Sequence, residues 1–343
     1  MIFDYKGLFR RLRMKTKTLV FLLALLTVSI TFSSQKLLVY LSGPQKMAVQ
    51  IEKAFEEENG DVLDVFHTGS GPLRQKIWTE MIAGRIQADV IWGSEPMMYK
   101  ALKSKDRLMQ YFPEVYDMLK PQYRYGEGFF TPVNARYGTI VYNSKQVARE
   151  MTPDDWGDLA SNYWHSNLTL ADASQSSMAF SLLSCLYDLN DSWALVEQLE
   201  KNNILLAKQN IEAISKVQRG EALACIAPHD GVLRLRKKEL KRGVESTLKI
   251  AWPASGAFAI ERPVAIINKE MDSKRLSLAK AFVDFTLSKR CQTIASQFGF
   301  ISVRRDIAPP KGVPEDVKSI PFDFNTASEK EAFLRDGFYS IFF

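Results

Sequence analysis

The chain beyond its first 35 residues alternates short apolar runs with amphipathic segments. Lys36–Ser42, Asp61–Phe66 and Ala88–Gly93 are apolar and rich in β-branched or aromatic residues, which predicts three strands. Between them, apolar residues recur every three or four positions over 47–55 and 73–81, which predicts two amphipathic helices. This β-α-β-α-β order is typical of a parallel sheet with helices on both faces.

A second series of the same kind follows a long aromatic and irregular stretch. Further helices are predicted around 191–201, 210–219, 234–242 and 273–288, and they alternate with apolar runs. A chain of 343 residues is long enough for two domains. The strands predicted in this series are Thr139–Asn143, Asn167–Ala171, Ala222–Ala227, Thr247–Trp252 and Pro263–Asn268.

Two polar turns connect a predicted strand to a predicted helix. The first, Gly69-Ser70-Gly71, lets the backbone approach a ligand closely, and Pro72 suits the first helical position. The second contains Ser174, Ser176 and Ser177 and precedes a helix from Met178. Helix N-termini offer free N–H groups and a partial positive charge, which favour an anion. A plain glycine turn and ordinary helix capping are the structural alternatives.

Polar residues also follow other strands. Ligands of parallel sheets bind beyond the carboxyl ends of the strands, where Ser42, Ser94 and Glu95 stand. His229 follows the strand Ala222–Ala227 and is either a ligand donor or a histidine that stabilises its turn. The basic run 234–242 is interpreted as a solvated helix face, and Arg74 as a surface charge or an anion contact.

The N-terminus has the pattern of a secretory signal peptide. A basic segment precedes the apolar run Leu19–Ile30 and small residues, so residues 1–33 are predicted to be removed after Ser33, with Met14 as the favoured start. An uncleaved anchor is the alternative, and the absence of a nearby cysteine argues against a lipoprotein. Residues 1–34 hold six of the 45 Lys and Arg and one of the 39 acids. The remainder carries a charge of only +1, which excludes a nucleic-acid footprint.

The composition offers little for catalysis or metal binding. Cys185, Cys225 and Cys291 are widely spaced and odd in number, so they are predicted to be buried thiols rather than disulfides. Three histidines without HExxH spacing make a zinc site improbable. No nucleophile elbow, Walker loop or metal triad is found, so the chain is predicted to bind without catalysis and without a cofactor.

The order of motifs resembles a known family. The chain is similar to the extracellular solute-binding proteins that serve ABC importers of ferric iron, polyamines, thiamine, and phosphorylated or phosphonate anions. No single motif is specific for this family, but the order and spacing of the motifs over about 260 residues are specific for it. The matching segments are LLVYLS, EKAFEEENG, HTGSGPLRQKI, ADVIWGSE, TIVYNSK, DDWGDLA, LTLADASQSS, KVQRGEALACIAP and KAFVDFTLSKRCQ.

The resemblance implies an α/β fold, the two-lobed periplasmic-binding-protein fold of type II, with a ligand cleft that closes about a hinge. The crossings between lobes would lie near Thr131–Tyr137 and Ala257–Pro263. Lobe 1 would comprise 34–132 plus about 262–290, and lobe 2 would comprise 133–261 plus about 291–343. It further implies a periplasmic monomer that delivers its solute to an inner-membrane permease with a cytoplasmic ATPase.

Three classes of solute are considered as alternatives. Ferric members carry paired tyrosines where this chain has His229-Asp230, and Fe(III) prefers phenolate and carboxylate oxygens. Thiamine and polyamine members hold cations with acids and aromatic rings, for which Glu95, Asp230, Glu261 and Tyr137 are candidates. The two serine turns and Arg136 favour a small oxyanion instead.

A phosphorylated compound, a phosphonate or another organic anion is therefore the leading hypothesis, with ferric iron as an alternative solute. A periplasmic sensor subunit of a two-component system is the alternative role. The predicted ligand-binding residues are Ser42, Gly69, Ser70, Gly71, Ser94, Glu95, Arg136, Tyr137, Ser174, Ser176, Ser177, His229, Asp230 and Glu261.

Overall fold

The computed structural model describes residues 36–343, so the predicted signal peptide and the Met14 start lie outside the described residues. The first part of the fold is the predicted alternation of strands and helices. Its β-branched and aromatic runs form strands, and its amphipathic segments form helices that bury Ile51, Phe55, Leu73 and Ile77. The elements are β1 (Leu37–Ser42), α1 (Gln45–Asn59), β2 (Leu63–Thr68), α2 (Ser70–Ile82), β3 (Val90–Trp92) and α3 (Pro96–Ser104).

The second part repeats this arrangement. Its helix α4 is buried along almost its whole length, because it packs between the sheet and later helices. The elements are β6 (Leu168–Ala171), α4 (Ser177–Asp188), α5 (Ala194–Lys201), β7 (Leu205–Ala207), α6 (Asn210–Arg219), β8 (Ala224–Pro228), α7 (His229–Leu240) and β9 (Leu248–Ala251).

Two long strands connect the parts, β5 (Thr131–Asn143) and β10 (Ala257–Ile267), after the short β4 (Leu108–Met109). They pair antiparallel, with Phe258 opposite Gly138 and Val264 opposite Thr131. The order of neighbouring strands is β2-β1-β3-β10-β5-β8-β6-β7. Pairing is parallel within β2-β1-β3 and within β8-β6-β7, and antiparallel wherever β5 or β10 takes part in this order.

The C-terminal part completes both ends of the sheet. Helices α8 (Ser273–Thr286) and α9 (Lys289–Gln297) pack near β1 and α1. The strands β11 (Ile301–Ser302) and β12 (Ser319–Pro321) add to β5 and β10. The tail that reads as Pro-rich and acidic-aromatic ends in two helices, α10 (Phe324–Glu329) and α11 (Glu331–Phe342).

The core bears out the α/β prediction and the cysteine prediction. All three cysteines are buried and unpaired, and burial raises the pKa of each thiol. Cys291 belongs to an apolar cluster with β1 and α1, although the predicted boundaries assign residue 291 to lobe 2. The lobe boundaries stay a prediction. Across residues 36–343, the structure contains no helix long and apolar enough to cross a membrane.

The bounds of several elements differ from the predicted ones, for example α7, which begins at His229 rather than at 234, and two further differences concern the site described below. Helix α2 begins at Ser70, so Pro72 is its third residue rather than its first. Strand β7 was not predicted, because a run of three residues carries too little pattern. Both differences matter below, since each brings a helix N-terminus to the edge where polar residues gather.

Helix α11 offers a test of the C-terminal packing. A Cβ at Gly337 would lie 2.6 Å from the Trp193 ring, so Gly337→Ala is expected to lower the free energy of unfolding by about 1–3 kcal/mol through overpacking. Chemical denaturation measures the change. Gly157→Ala is the matched control, because a Cβ there meets nothing within 4 Å. Equal stability of the two variants would contradict the observed packing.

Candidate functional site

The two predicted turns face each other across the carboxyl ends of the strands. The first follows β2 and begins α2, and the second follows β6 and begins α4. They are in direct contact, because a Cβ at Gly71 would lie 2.1 Å from the backbone carbonyl oxygen of Gln175. The prediction that donors approach from two sides of one cleft is therefore consistent with the positions of these turns.

A pocket of about 340 Å³, here called the cleft pocket, lies beside this contact. Its walls include the backbone of Gly43, Gly69 and Pro228, at or near the ends of β1, β2 and β8. Its lining contains neither a carboxylate nor a tyrosine. The polar side chains that line it are Ser70, Arg136, Gln175, Ser176, Gln209, Asn210 and Arg234.

Two arginines of the cleft pocket share one buried carboxylate. Arg136 donates from Nε to Asp230 Oδ1 at 2.7 Å and from Nη2 to Asp230 Oδ2 at 3.0 Å. Arg234, one turn after Asp230 on α7, forms an ion pair with the same carboxylate. Burial alone would raise the pKa of Asp230, but the two arginines outweigh it and hold the pKa well below its usual range. The Asp230 carboxylate thus positions two arginines by ion pairing and is not itself part of the pocket lining.

A third arginine lies behind the pocket wall without an acidic partner. Arg262 is fully buried and donates to Ser94 Oγ at 2.8 Å, Asn134 Oδ1 at 3.0 Å and the carbonyl oxygen of Ser42. A Cβ at Gly43 would lie 3.1 Å from Arg262 Nη2, so this guanidinium lies directly behind a lining residue. Burial and the nearby Arg136 lower its pKa to about 9, which leaves it protonated at neutral pH. Ser42 and Ser94 therefore contact Arg262 and do not line the pocket.

Ser176 and Asn210 form the second side of the pocket. Ser176 Oγ caps α4 by accepting from the Ala179 N–H at 3.2 Å, so the capping alternative holds for this residue. Asn210 Nδ2 lies 2.9 Å from the same oxygen, while Asn210 Oδ1 is buried without a partner. A flipped amide would accept from the Ser176 hydroxyl and turn the N–H₂ group toward the unpaired side. Asn210 thus connects the N-terminus of α6 to the cap of α4 beside the pocket.

His229 and Tyr137 are predicted site residues that the fold uses internally. Both ring nitrogens of the buried His229 are occupied: Nδ1 accepts from the Tyr137 N–H at 2.9 Å, and Nε2 pairs with the Gly299 carbonyl at 2.8 Å. The Tyr137 ring packs against His229 and Trp252. Of the two interpretations of His229, the structure favours the structural one, because the residue begins α7 and links it to Tyr137 of β5 and to Gly299.

Glu95 and Ser177 contact each other instead of the cleft pocket. The Ser177 hydroxyl donates to the buried Glu95 carboxylate, which also pairs with Arg74 at 2.8 Å and with Arg335 of α11 at 3.4 Å. Arg74 forms a second ion pair with Glu331 of α11 at 2.6 Å. This network joins α2, α4 and α11 next to the cleft, and Arg74 is neither a plain surface charge nor a pocket residue.

Two further predicted residues lie apart from the cleft pocket. Ser174 is exposed, and its backbone N–H donates to Asp172 Oδ1 at 2.8 Å. Glu261 lines a different pocket and accepts a hydrogen bond from the Tyr125 hydroxyl. Of the predicted set, Gly69, Ser70, Arg136 and Ser176 line the cleft pocket, and Gly71 forms its closing contact.

The sequence reasoning missed Arg234, Asn210 and Arg262. Arg234 was placed on a solvated face, yet its spacing of four residues from Asp230 was a usable signal for an ion pair. Asn210 follows β7, the strand that was not predicted. Arg262 carried no local signal, because its role depends on which face of β10 it occupies.

The sequence matches the model of one protein family over most of its length. Residues 87–329 match the model of the bacterial extracellular solute-binding proteins. Among curated protein sequences, none matches the chain significantly.

Solved structures with the same fold include iron-bound HitA from Pseudomonas aeruginosa, at TM-score 0.75 and 21% identity over 88% of this chain and 99% of that one. AfuA from Actinobacillus pleuropneumoniae with bound fructose-6-phosphate matches at TM-score 0.76 and 21% identity over 90% of this chain and 99% of AfuA. The ferric binding protein from Campylobacter jejuni matches at TM-score 0.76 and 17% identity over 89% and 99% of the two chains. These likenesses confirm the predicted two-lobed type II fold.

The contact between the two turns can be tested at Gly71. In Gly71→Ala the new methyl group would collide with the Gln175 carbonyl, so the closed arrangement should lose about 1–3 kcal/mol and the turns should separate. Small-angle scattering of the solute-free protein should show a larger radius of gyration. Gly69→Ala is the matched control, since its Cβ would meet only Pro72 at 3.6 Å. An unchanged radius for Gly71→Ala would contradict the contact.

Glu261 gives a prediction about stability and pH. Burial raises the pKa of its carboxyl group from 4.5 to about 7, so the folded state binds a proton that the unfolded state has lost between these values. Stability contributed by this group therefore falls as pH rises from about 4.5 to 7. Glu261→Gln should be up to about 3 kcal/mol more stable than wild type at pH 8 and close to it at pH 5. Denaturant titrations at both pH values measure this, and a constant difference between them would refute it.

Proposed function

The chain belongs to the family of bacterial extracellular solute-binding proteins, and we propose that its solute is a small organic anion, held in the cleft pocket as a phosphate ester or phosphonate. The family's function is to bind a solute outside the cytoplasm. The proposal extends it to the solute class, to capture in the periplasm, and to delivery of the solute to an ABC permease with a cytoplasmic ATPase.

The observation that carries the proposal is a charge imbalance. Arg136, Arg234 and Arg262 bring three positive charges to the cleft pocket, and Asp230 brings one negative charge. A net charge of about +2 in a site that closes around its solute is costly unless the solute neutralises it. A phosphate monoester carries a charge of about −1.5 to −2 at pH 7 and offers three acceptor oxygens.

The other lining groups are suited to the same solute. The Ser70 side chain stands at the N-terminus of α2, and the cleft end of α6 brings Asn210. Donors at helix N-termini together with arginines form the usual surroundings of a bound oxyanion. Ser70 and Asn210 belong to different helices, so a solute that bonds to both would hold the two helices together.

Ferric iron is the weaker alternative for this cleft. Fe(III) prefers carboxylate and phenolate oxygens, and the cleft pocket presents neither in its lining. A positively charged pocket would also repel a bare cation. HitA binds iron on a similar fold, so the discrimination rests on the side chains and not on the architecture.

The decisive measurement is calorimetric titration with fructose-6-phosphate, inorganic phosphate, an alkyl phosphonate, thiamine, spermidine and ferric citrate. A phosphorylated compound or phosphonate is expected to bind, and its affinity should fall as pH drops below about 6, where the dianion takes up a proton and becomes a monoanion. Binding of only ferric citrate or a cation would overturn the assignment while leaving the fold intact.

Ser70→Ala tests the site with the solute that binds. The variant should lose about 1–3 kcal/mol of binding free energy, because an anion in a desolvated pocket loses a donor. Fold stability should barely change, since no hydrogen bond to the Ser70 hydroxyl is observed within residues 36–343. Ser174→Ala is the control because Ser174 lies outside the pocket lining. Equal losses in both variants, or none, would show that the pocket is misassigned.

A further inference from the structure

A second pocket of about 470 Å³, here called the aromatic pocket, lies at the strand β10 but is separate from the cleft pocket. Its walls come from residues 122–130, from Lys100 of α3, from Glu261 of β10, and from residues 321–325 before and within α10. The two pockets have no lining residue in common.

The aromatic pocket contains one largely buried carboxylate without a cationic partner. Tyr125 donates its hydroxyl proton to Glu261 Oε2, and in the part of the chain that the structure describes this is the one hydrogen bond to that carboxylate. No lysine or arginine there forms an ion pair with Glu261. Buried carboxylates are normally paired, so the Glu261 carboxylate can still accept a cation or a hydrogen-bond donor.

Three aromatic rings that pack against one another line the same pocket as that carboxylate, and one of them, Tyr125, contacts it. Tyr125 lies 5.5 Å from Phe130 and 5.2 Å from Phe324 between ring centroids, and Phe130 lies 5.9 Å from Phe324. Interplanar angles of 62° to 71° give the rings mutually inclined faces. Inclined aromatic faces beside a carboxylate are the arrangement that attracts organic cations.

The other charged groups at the pocket have partners of their own. Arg124 donates to the Leu119 and Asp117 carbonyls, Glu127 pairs with Lys103, and Asp323 caps α10. Lys100 Nζ lies 5.7 Å from the Phe324 ring centroid, so this aromatic face already attracts a cation. Glu261 is the acid whose charge is left for a ligand.

We propose that the aromatic pocket is a second binding site, for a small organic ammonium ion held by the Glu261 carboxylate and by the faces of Tyr125, Phe130 and Phe324. The ammonium group lies against the rings and points its charge, or its N–H, at Glu261. Metal ions suit the pocket poorly, because hard cations need six or more oxygens and, among residues 36–343, no three acids, histidines or cysteines come close enough to hold one. The site is independent of the solute proposed for the cleft pocket.

Tetramethylammonium chloride and methylammonium chloride are the probes, with sodium chloride as the ionic-strength control, in calorimetric titrations of the purified protein at pH 8. Saturable binding of at least one ammonium salt is expected. Tetramethylammonium alone would indicate that the rings dominate, and methylammonium alone that the hydrogen bond to Glu261 dominates. Absence of saturable binding for both salts would overturn the proposal.

Glu261→Gln keeps the shape of the side chain and the acceptor for Tyr125 but removes the charge, so it should weaken ammonium binding at least tenfold. Glu127→Gln is the matched control, because it removes a carboxylate from the same pocket that already has a lysine partner. Its affinity should stay within about twofold of wild type. Equal affinity of Glu261→Gln and wild type would refute the site.

Two further variants distinguish a loss of ammonium binding from a loss of folding. Phe324→Leu removes one aromatic face without touching Glu261 and should weaken tetramethylammonium binding more than methylammonium binding. Ser70→Ala leaves the aromatic pocket intact and should bind ammonium as wild type does, whereas a loss would place the ammonium in the cleft pocket. Wild-type affinity should also fall between pH 8 and pH 5.5, since Glu261 takes up a proton in this range.

Discussion

The antiparallel pairing of β5 with β10 is the constraint on which both pockets depend. Arg136 stands opposite Ile260, and Ala135 opposite Glu261, so the ladder sets the positions of the arginine and of the acid along one pair of strands. The ladder shifts register between Arg262 and Pro263. Because β10 pairs with one parallel group of strands and β5 with the other, a change at either pocket acts on the pair of strands that joins the two groups.

Neighbouring residues of β10 explain why the two pockets have opposite charge. Side chains alternate between the faces of a strand, so Glu261 and Arg262 point to opposite sides of the sheet. Arg262 lies behind Gly43 of the cleft pocket and donates to neutral acceptors, and Glu261 lines the aromatic pocket and accepts from a neutral hydroxyl. The two charges do not neutralise each other, because the sheet separates them. One dipeptide thus gives one pocket a positive character and the other a negative one.

The sequence predicted what depends on local order and missed what depends on distant partners. The common location of Ser70, Ser176 and the glycine turn is predictable because strand-turn-helix order is local and the carboxyl ends of parallel strands share an edge. The role of His229 could not be predicted in this way, since its two ring nitrogens bond to Tyr137 and Gly299, which lie far away in the sequence. Arg262 was missed because its burial requires Ser42, Ser94 and Asn134 to converge from three separate strand ends or strands. Glu261 is predicted as an acid of the cleft, whereas the structure places it in the lining of the aromatic pocket, because strand alternation cannot be read until the register is known.

The burial of Cys185, Cys225 and Cys291 has a consequence for how such a chain must mature. In the folded protein the three thiols are inaccessible and their raised pKa values keep them protonated, so they are poor nucleophiles. In an unfolded chain outside the cytoplasm the same thiols are exposed to oxidants, and three cysteines cannot all be paired within one molecule. Folding therefore competes with oxidation: a chain that folds slowly is trapped by wrong disulfides or cross-linked to a second copy. Rapid burial of the core therefore protects the three thiols from oxidation as well as stabilising the fold.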